Sequence, residues 1–209
     1  MPGWSRAGDA GAQGLRPNFS QEGWTAKQQN IHKILTELQP ISVLDIGCGR
    51  GWYSKLAARL GSKVVAFDIN EDCITQLYDD SCSEHLPILP LIMDFTKPTP
   101  ARGLGDHWAI AATKRFQCDL VLALAVLDDI VFRQRLNFEQ IVEGLSQFSK
   151  NWAIVEFIPP ESSEFAELFS KRVDWYTLDN AIATLKKEFS KVTILPSYPE
   201  GRVLLLCEK

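Results

Sequence analysis

Gly47, Gly49 and Gly51 stand within five residues, behind the apolar run Ser42-Val43-Leu44 and ahead of Trp52, Leu56, Ala57 and Leu60, which recur at helical spacing until Gly61. No other stretch constrains the chain as tightly. It reads as a buried strand, a turn whose glycines accept positive φ angles and expose backbone without Cβ atoms, and a helix that starts at the turn. Such a turn can cradle a nucleotide-like ligand. Asp45 lies on the strand just before it. A dinucleotide-binding turn calls for G-x-G-x-x-G, whereas here the third glycine falls one residue early and an acid precedes the turn, which that fingerprint does not require.

Two more apolar runs end in acids. Lys63-Val64-Val65-Ala66-Phe67 leads to Asp68 and Ile69, where a carboxylate at a strand tip could accept both hydroxyls of a ribose. Ile88-Leu89-Pro90-Leu91-Ile92-Met93 leads to Asp94 and Phe95. The glycine turn and the two acids are therefore expected at the C-terminal ends of three successive strands, the ligand edge of an open α/β sheet.

At these residues the chain resembles the class I S-adenosylmethionine-dependent methyltransferases, from roughly Ile31 to the C-terminus, and segment 43–51 is the most specific part. The resemblance implies a doubly wound, mostly parallel seven-stranded sheet with a C-terminal antiparallel hairpin, the Rossmann-like methyltransferase fold. It implies S-adenosylmethionine as cofactor and S-adenosylhomocysteine as product. By the same resemblance, Asp45 orients the methionine amino group, and Gly47, Cys48, Gly49 and Gly51 bring backbone against the cofactor. Cys48 serves as a small residue there, not a nucleophile. Asp68, with Ile69 beside it, takes the ribose; Asp94 takes the adenine amino group, with Met93 and Phe95 walling the ring. Ala123 and Ala125 lie at the amino-acid end. For Asp68 and Asp94 the plainer alternative is a strand-end carboxylate that binds nothing.

The remaining chain alternates strand and helix. Residues 1–19 read as a flexible leader and residues 20–209 as one domain. Ile31, Ile34, Leu35 and Leu38 form a helical face ended by Pro40; Trp24 and Gln28, ahead of it, are candidates to close over the cofactor, with Trp24 as a core anchor the alternative. Glu71–Glu84 is expected to turn Ile74, Leu77 and Tyr78 inward and Asp72, Asp79 and Asp80 outward. Residues 97–117 form a long connection with a short helix near Trp108, Ile110 and Ala111. Cys118–Leu124 is a fourth strand, Asn137 caps a helix carrying Ile141, Val142, Leu145 and Phe148, and Trp152–Ile158 is a fifth strand stopped by Pro159-Pro160. Glu161–Arg172 and Thr177–Phe189 read as helices, and Val192–Leu195 with Arg202–Cys207 as the closing hairpin. Connections 97–117 and 159–176 are candidate substrate lids.

The acceptor side rests on three acids. Asp128 and Asp129 follow the fourth strand at the ligand edge, and Glu156 lies near the end of the fifth. A carboxylate there could deprotonate a hydroxyl, orient an amine or help bind a divalent cation. One of the two adjacent aspartates is expected to face the pocket and the other to cap a helix; for Glu156 the alternative is a paired carboxylate that holds its loop. His107, Trp175 and Tyr176 could line an acceptor pocket or simply pack.

A net charge of −4 and a pI near 5.4 argue against a nucleic-acid surface, because no basic stripe can displace counterions from phosphates. Five scattered cysteines suit reduced thiols in the cytoplasm, and no Cys/His zinc spacing or membrane-length apolar run occurs. The absence of an Asn/Asp-Pro-Pro-Tyr segment after the fourth strand disfavours amino-methylation of adenine in DNA or of glutamine. No Pro-Cys nucleophile of a cytosine C5 enzyme is present either. The expected activity is methyl transfer from S-adenosylmethionine to an oxygen or nitrogen of a small molecule by in-line displacement. The alternatives are RNA or protein methylation and a non-catalytic cofactor-binding scaffold. The acceptor, the part of a metal and the oligomeric state stay open.

Overall fold

The computed structural model describes residues 22–163 and 173–209. The leader 1–19 and all but the start of the helix expected over Glu161–Arg172 lie outside them; the described start, Pro160–Ser162, is a 3-10 turn. The elements alternate as α1 (Ala26–Leu38), β1 (Ser42–Ile46), α2 (Trp52–Arg59), β2 (Lys63–Asp68), α3 (Glu71–Ser83), β3 (Ile88–Ile92), α4 (Ala112–Arg115) and β4 (Cys118–Ala123). They continue as α5 (Leu127–Gln134), α6 (Phe138–Phe148), β5 (Ser149–Phe157), α7 (Leu178–Glu188), β6 (Lys191–Pro196) and β7 (Val203–Glu208).

One seven-stranded sheet results, in the order β3-β2-β1-β4-β5-β7-β6. Pairing is parallel from β3 through β5 and antiparallel along β5-β7-β6, as the closing hairpin implies. Strands buried on both faces must be apolar throughout, which is why β1 and β4 read as continuous runs without polar alternation. On one face Leu44, Ile46, Phe67, Val121, Ala123 and Val155 pack with Ile141, Val142, Leu145 and Phe148 of α6. On the other, Val43, Val64, Leu122 and Ile154 pack with Ile31, Ile34 and Leu35 of α1 and Leu56 and Ala57 of α2. Each fully buried leucine or isoleucine of these faces contributes about 1.5–3 kcal/mol over an exposed one.

Helix starts follow from local chemistry. Thr25 with Gln28 and Asn137 with Gln140 form reciprocal capping boxes that fix the first turns of α1 and α6. α1 also reaches the far edge of the sheet, where Asn30 Nδ2 donates to the Pro196 carbonyl at 2.7 Å.

Several expectations are corrected. Tyr78 is 59% exposed, because the buried face of α3 runs Ile74-Leu77-Ser81 and leaves the position after Leu77 outside. Leu60 follows α2 as its C-cap and is exposed. No helix forms at Trp108: Gly103, Gly105 and Asp106 take positive φ angles about a 3-10 turn at Leu104–Asp106, Arg102 bridges back to Ala109, and α-helix begins at Ala112. Trp108 is left 86% exposed. Neither Asp128 nor Asp129 caps a helix; both lie in the first turn of α5, whose N-cap position is Val126.

β1 lies between β2 and β4, so the connections leave it in opposite directions. The crevice beyond its C-terminal end is the topological switch point, where open α/β sheets bind their ligands.

Candidate functional site

The glycine turn is held from below. Gly47 and Cys48 donate their amides to the Phe67 carbonyl at 2.7 and 3.0 Å, and the Gly49 amide donates to Asp68 Oδ2 at 2.8 Å. All three glycines have positive φ, at 66°, 53° and 73°. At Gly51 the requirement is double, since a Cβ would also lie 2.4 Å from a methyl of the fully buried Leu77. Below the turn Asp45 is 2% exposed and accepts from Ser54 Oγ at 2.6 Å. The acid in front of the glycines is thereby tied to the helix behind them.

Asp68 closes β2 and is 6% exposed. Its Oδ1 accepts from the Asn70 amide at 2.9 Å, and Asn70 in turn caps α3. Each oxygen retains a lone pair for a further donor, which suits a ribose diol. Ile69, next in the chain, is about half exposed. Asp94 closes the loop after β3 on itself: Oδ1 accepts from the Thr96 amide and hydroxyl at 2.9 and 2.7 Å, and Lys97 lies 3.7 Å from Oδ2. Met93 remains at this edge, with its amide on the Asp68 carbonyl. Phe95 turns away into the core, 6.0 Å from the Phe148 ring and against Gly144, where a Cβ would meet it at 2.9 Å. The structure thus brings Asp45, the glycine turn, Asp68, Ile69, Met93 and Asp94 along one edge and sends Phe95 elsewhere.

At the end of β4 Ala123 is buried, and Ala125 adopts a φ of 52° in the turn to α5. A non-glycine residue in the left-handed region costs about 1 kcal/mol, and such strain gathers at functional edges. The residues present therefore fit a cofactor with a ribose and an amino-acid tail.

The surroundings of Asp128, expected on the acceptor side, are built from residues far apart in sequence. Asp128 is 5% exposed and accepts from Ser163 Oγ at 2.7 Å. Burial pushes its carboxyl above the usual carboxylate range, while the Ser163 hydroxyl, local amides and the Arg202 charge pull it back. Arg202 comes from the β6–β7 turn and reaches the Ser162 carbonyl at 3.3 Å. Tyr176 is buried beside them; its hydroxyl donates to the Ile158 carbonyl at 3.0 Å, and its ring stacks on Phe157 at 5.0 Å and meets Phe132 and Phe138. Burial and the Asp128 charge push the Tyr176 phenol well up, so it stays a donor. Trp175 packs on Phe138, and His107 is exposed on the 97–117 connection. Asp129 pairs with Arg133 at 3.6 Å.

Glu156 is fully enclosed on the opposite face. Its two oxygens take Lys27 Nζ at 2.7 Å and Ser197 Oγ at 2.6 Å, which ties α1 to β5 and to the closing hairpin. This is the loop-holding arrangement set against a catalytic one for that residue. Lys27, Ser54, Ser163, Ser197 and Arg202 carry no pattern in the sequence that marks them; only the topology, which puts the β6–β7 turn beside the end of β5, could have pointed to the last two. Among the described residues no His/Cys/Asp/Glu group could hold a metal ion, and no helix is long and apolar enough to cross a membrane.

A family model described as a methyltransferase domain matches residues 21–157. The chain is 26% identical over 176 residues to nodulation protein NoeA of Rhizobium meliloti (strain 1021), a match that covers 81% of this chain and 37% of that protein. The chain thus spans little more than a third of that relative. Among solved structures it is similar to magnesium protoporphyrin IX methyltransferase from Synechocystis PCC 6803, determined with bound SAM, at a TM-score of 0.59 and 16% identity over 87% of this chain and 79% of that one. It is also similar to TehB from Haemophilus influenzae, at a TM-score of 0.57 and 17% identity over 90% of this chain and 64% of that one. At such identities both speak to the fold.

Proposed function

We propose that this chain, a member of the methyltransferase-domain family, is an S-adenosylmethionine-dependent methyltransferase that methylates an oxygen or nitrogen of a small molecule. The observation that carries the small-molecule reading is the enclosure of Asp128: a carboxylate 5% exposed, hydrogen-bonded to Ser163, with Tyr176 beside it. A carboxylate so enclosed is reached by a hydroxyl or amine on a compact molecule more readily than by one on a folded macromolecule.

The cofactor supplies a methyl group already activated by a positive sulfur, so the protein mainly has to place the two reactants and exclude water. Asp68 would hold the ribose hydroxyls with the lone pairs left by Gly49 and Asn70. Asp94, through Oδ2, would take the adenine amino group, with Met93 against the ring. Asp45 would face the amino-acid end together with the backbone of Ala123 and Ala125. At the acceptor, Asp128 would receive the proton that the attacking hydroxyl or amine gives up, and its raised carboxyl suits that task near neutral pH. Asp129 would support the first turn of α5 through Arg133. Residues 20–209 would work as one domain, and the five scattered cysteines, Cys48, Cys73, Cys82, Cys118 and Cys207, suit the cytoplasm.

The test is transfer of labelled methyl from S-adenosylmethionine to a panel of small alcohols, phenols, carboxylic acids and amines, run beside RNA and protein fractions. Label in the small-molecule fraction supports the reading. Label confined to RNA or protein overturns it, and cofactor binding without transfer to any fraction points to a scaffold.

A further inference from the structure

The entry to α1, from Trp24 just before its cap to Lys27 in its first turn, carries two polar features that the site so far described does not use. Among the described residues the Trp24 indole Nε1 is buried with no hydrogen-bond partner. A buried orphan donor is rare enough in a native fold to call for a ligand or a water. Its ring lies edge-on to Trp52 at 5.6 Å, and Trp52 lies on Tyr53 at 4.7 Å; these two residues open α2 immediately after Gly51. Over Tyr53, 5.2 Å from the ring centre, sits the Lys27 ammonium. Lys27 is 13% exposed and gives one hydrogen bond to Glu156, although an ammonium has three donors. An indole N–H and an ammonium therefore flank the first turn of the helix that the glycine turn feeds, while the next residue of that helix, Ser54, holds Asp45.

Glu156 explains why the ammonium stays there. It is inaccessible to solvent, and its other oxygen is fixed by Ser197, so the pair cannot swing out to water without leaving a buried charge. By extension of the strand register, Glu156, Leu124, Gly47 and Asp68 fall in one row across the sheet, one residue beyond Val155, Ala123, Ile46 and Phe67. Lys27 is thus anchored level with the glycine turn and the ribose acid, on the side of the β4 end.

We propose that Trp24 and Lys27 bind the α-carboxylate at the amino-acid end of the cofactor, with Glu156 and Ser197 as positioning residues for Lys27. The inference rests on the cofactor reading given above. It answers the orphan donor, because a carboxylate is an acceptor that both an indole N–H and an ammonium can share.

The experiment is calorimetric titration of the wild type and of two variants with S-adenosylhomocysteine and with its decarboxylated analogue, which keeps the adenosine, the sulfur and the amine. Trp24→Phe removes the indole donor and leaves the ion pair intact. Lys27→Met combined with Glu156→Gln removes the ammonium without stranding a buried charge. The wild type should prefer the carboxylate-bearing ligand. Each variant should lose about tenfold or more in affinity for it while holding the analogue within about twofold. An equal loss for both ligands, or no loss for either, overturns the inference; Trp24→Phe decides it even where the double variant melts early by circular dichroism. Failure of the wild type to bind S-adenosylhomocysteine at all would overturn the cofactor site itself, and so is distinguishable.

Discussion

Over β1, β2 and β3 the ligand edge is made of backbone turns and strand-end carboxylates whose partners are mostly amides close by: Asp68 with Asn70, Asp94 with Thr96, and across one strand Asp68 with Gly49. Over β4, β5 and β7 it is made of side chains drawn together from a distance, Asp128 with Ser163 at a separation of 35 and Arg202 with Ser162 at a separation of 40. The first half is a rigid receptor set by local geometry, suited to a ligand that never changes. The second is an assembly of side chains from separate elements, which on the proposed reading suits a variable acceptor.

The comparison can be broken at its strongest point with Asp128→Asn. Loss of a general base should lower kcat by about 10²–10⁴-fold, while calorimetry with S-adenosylhomocysteine should give an affinity within about twofold of wild type. A comparable fall in cofactor affinity would show the halves to be one unit. Asp68→Ala tests the other half: losing a charged hydrogen bond of about 1.5–3 kcal/mol should weaken cofactor binding by about 10- to 150-fold. The same change releases the Gly49 amide. Unchanged affinity in a folded Asp68→Ala protein would remove the ribose assignment.

The smallest effect is also the most specific. Ser163 donates to Asp128 and so favours its ionised form. Ser163→Ala should therefore raise the Asp128 carboxyl further and move the acid limb of the pH–rate profile to higher pH, since a base works only when ionised. The stability lost with the hydrogen bond should be about 0.5–1.5 kcal/mol by denaturant melt. A limb that stays in place, or moves to lower pH, would separate that limb from Asp128.

The same contrast decides what could be read from the chain alone. Gly47, Gly49, Gly51, Asp68 and Asp94 are legible because their chemistry is contiguous: a strand, then a residue that φ or a strand tip makes special. The alternation of strand and helix and the closing hairpin are legible because burial on both faces of a sheet leaves continuous apolar runs. Phe95 misleads because an aromatic beside a candidate adenine acid fits a ring wall and a core equally well; only Gly144, which leaves room for it, decides. Trp108 misleads because its apolar neighbours suggest a helix where the chain instead pairs back, with the Trp108 and Ala109 amides on the Arg102 carbonyl. Ser163 and Arg202 could not be found, since nothing next to them in the chain announces Asp128.

The ties from α1 to Glu156 and to Pro196 have a consequence for the order in which the molecule can be made. A chain emerging from a ribosome presents Lys27 and Asn30 early, yet their partners follow 129 and 166 positions later. Strands β1 to β3 can pair as they appear and α1 can settle on Val43, Leu56, Ala57 and Val64, but its polar ties cannot form until β5 and the end of β6 have been synthesised. Closing so long a loop costs little more free energy than closing a shorter one; its cost is time, during which the cover that Leu122, Ile154 and Leu204 add over this cluster is incomplete and the exposed apolar surface is open to chaperones or to misassociation. Cofactor binding by stalled nascent chains should therefore tighten only after Ser197 has cleared the exit tunnel.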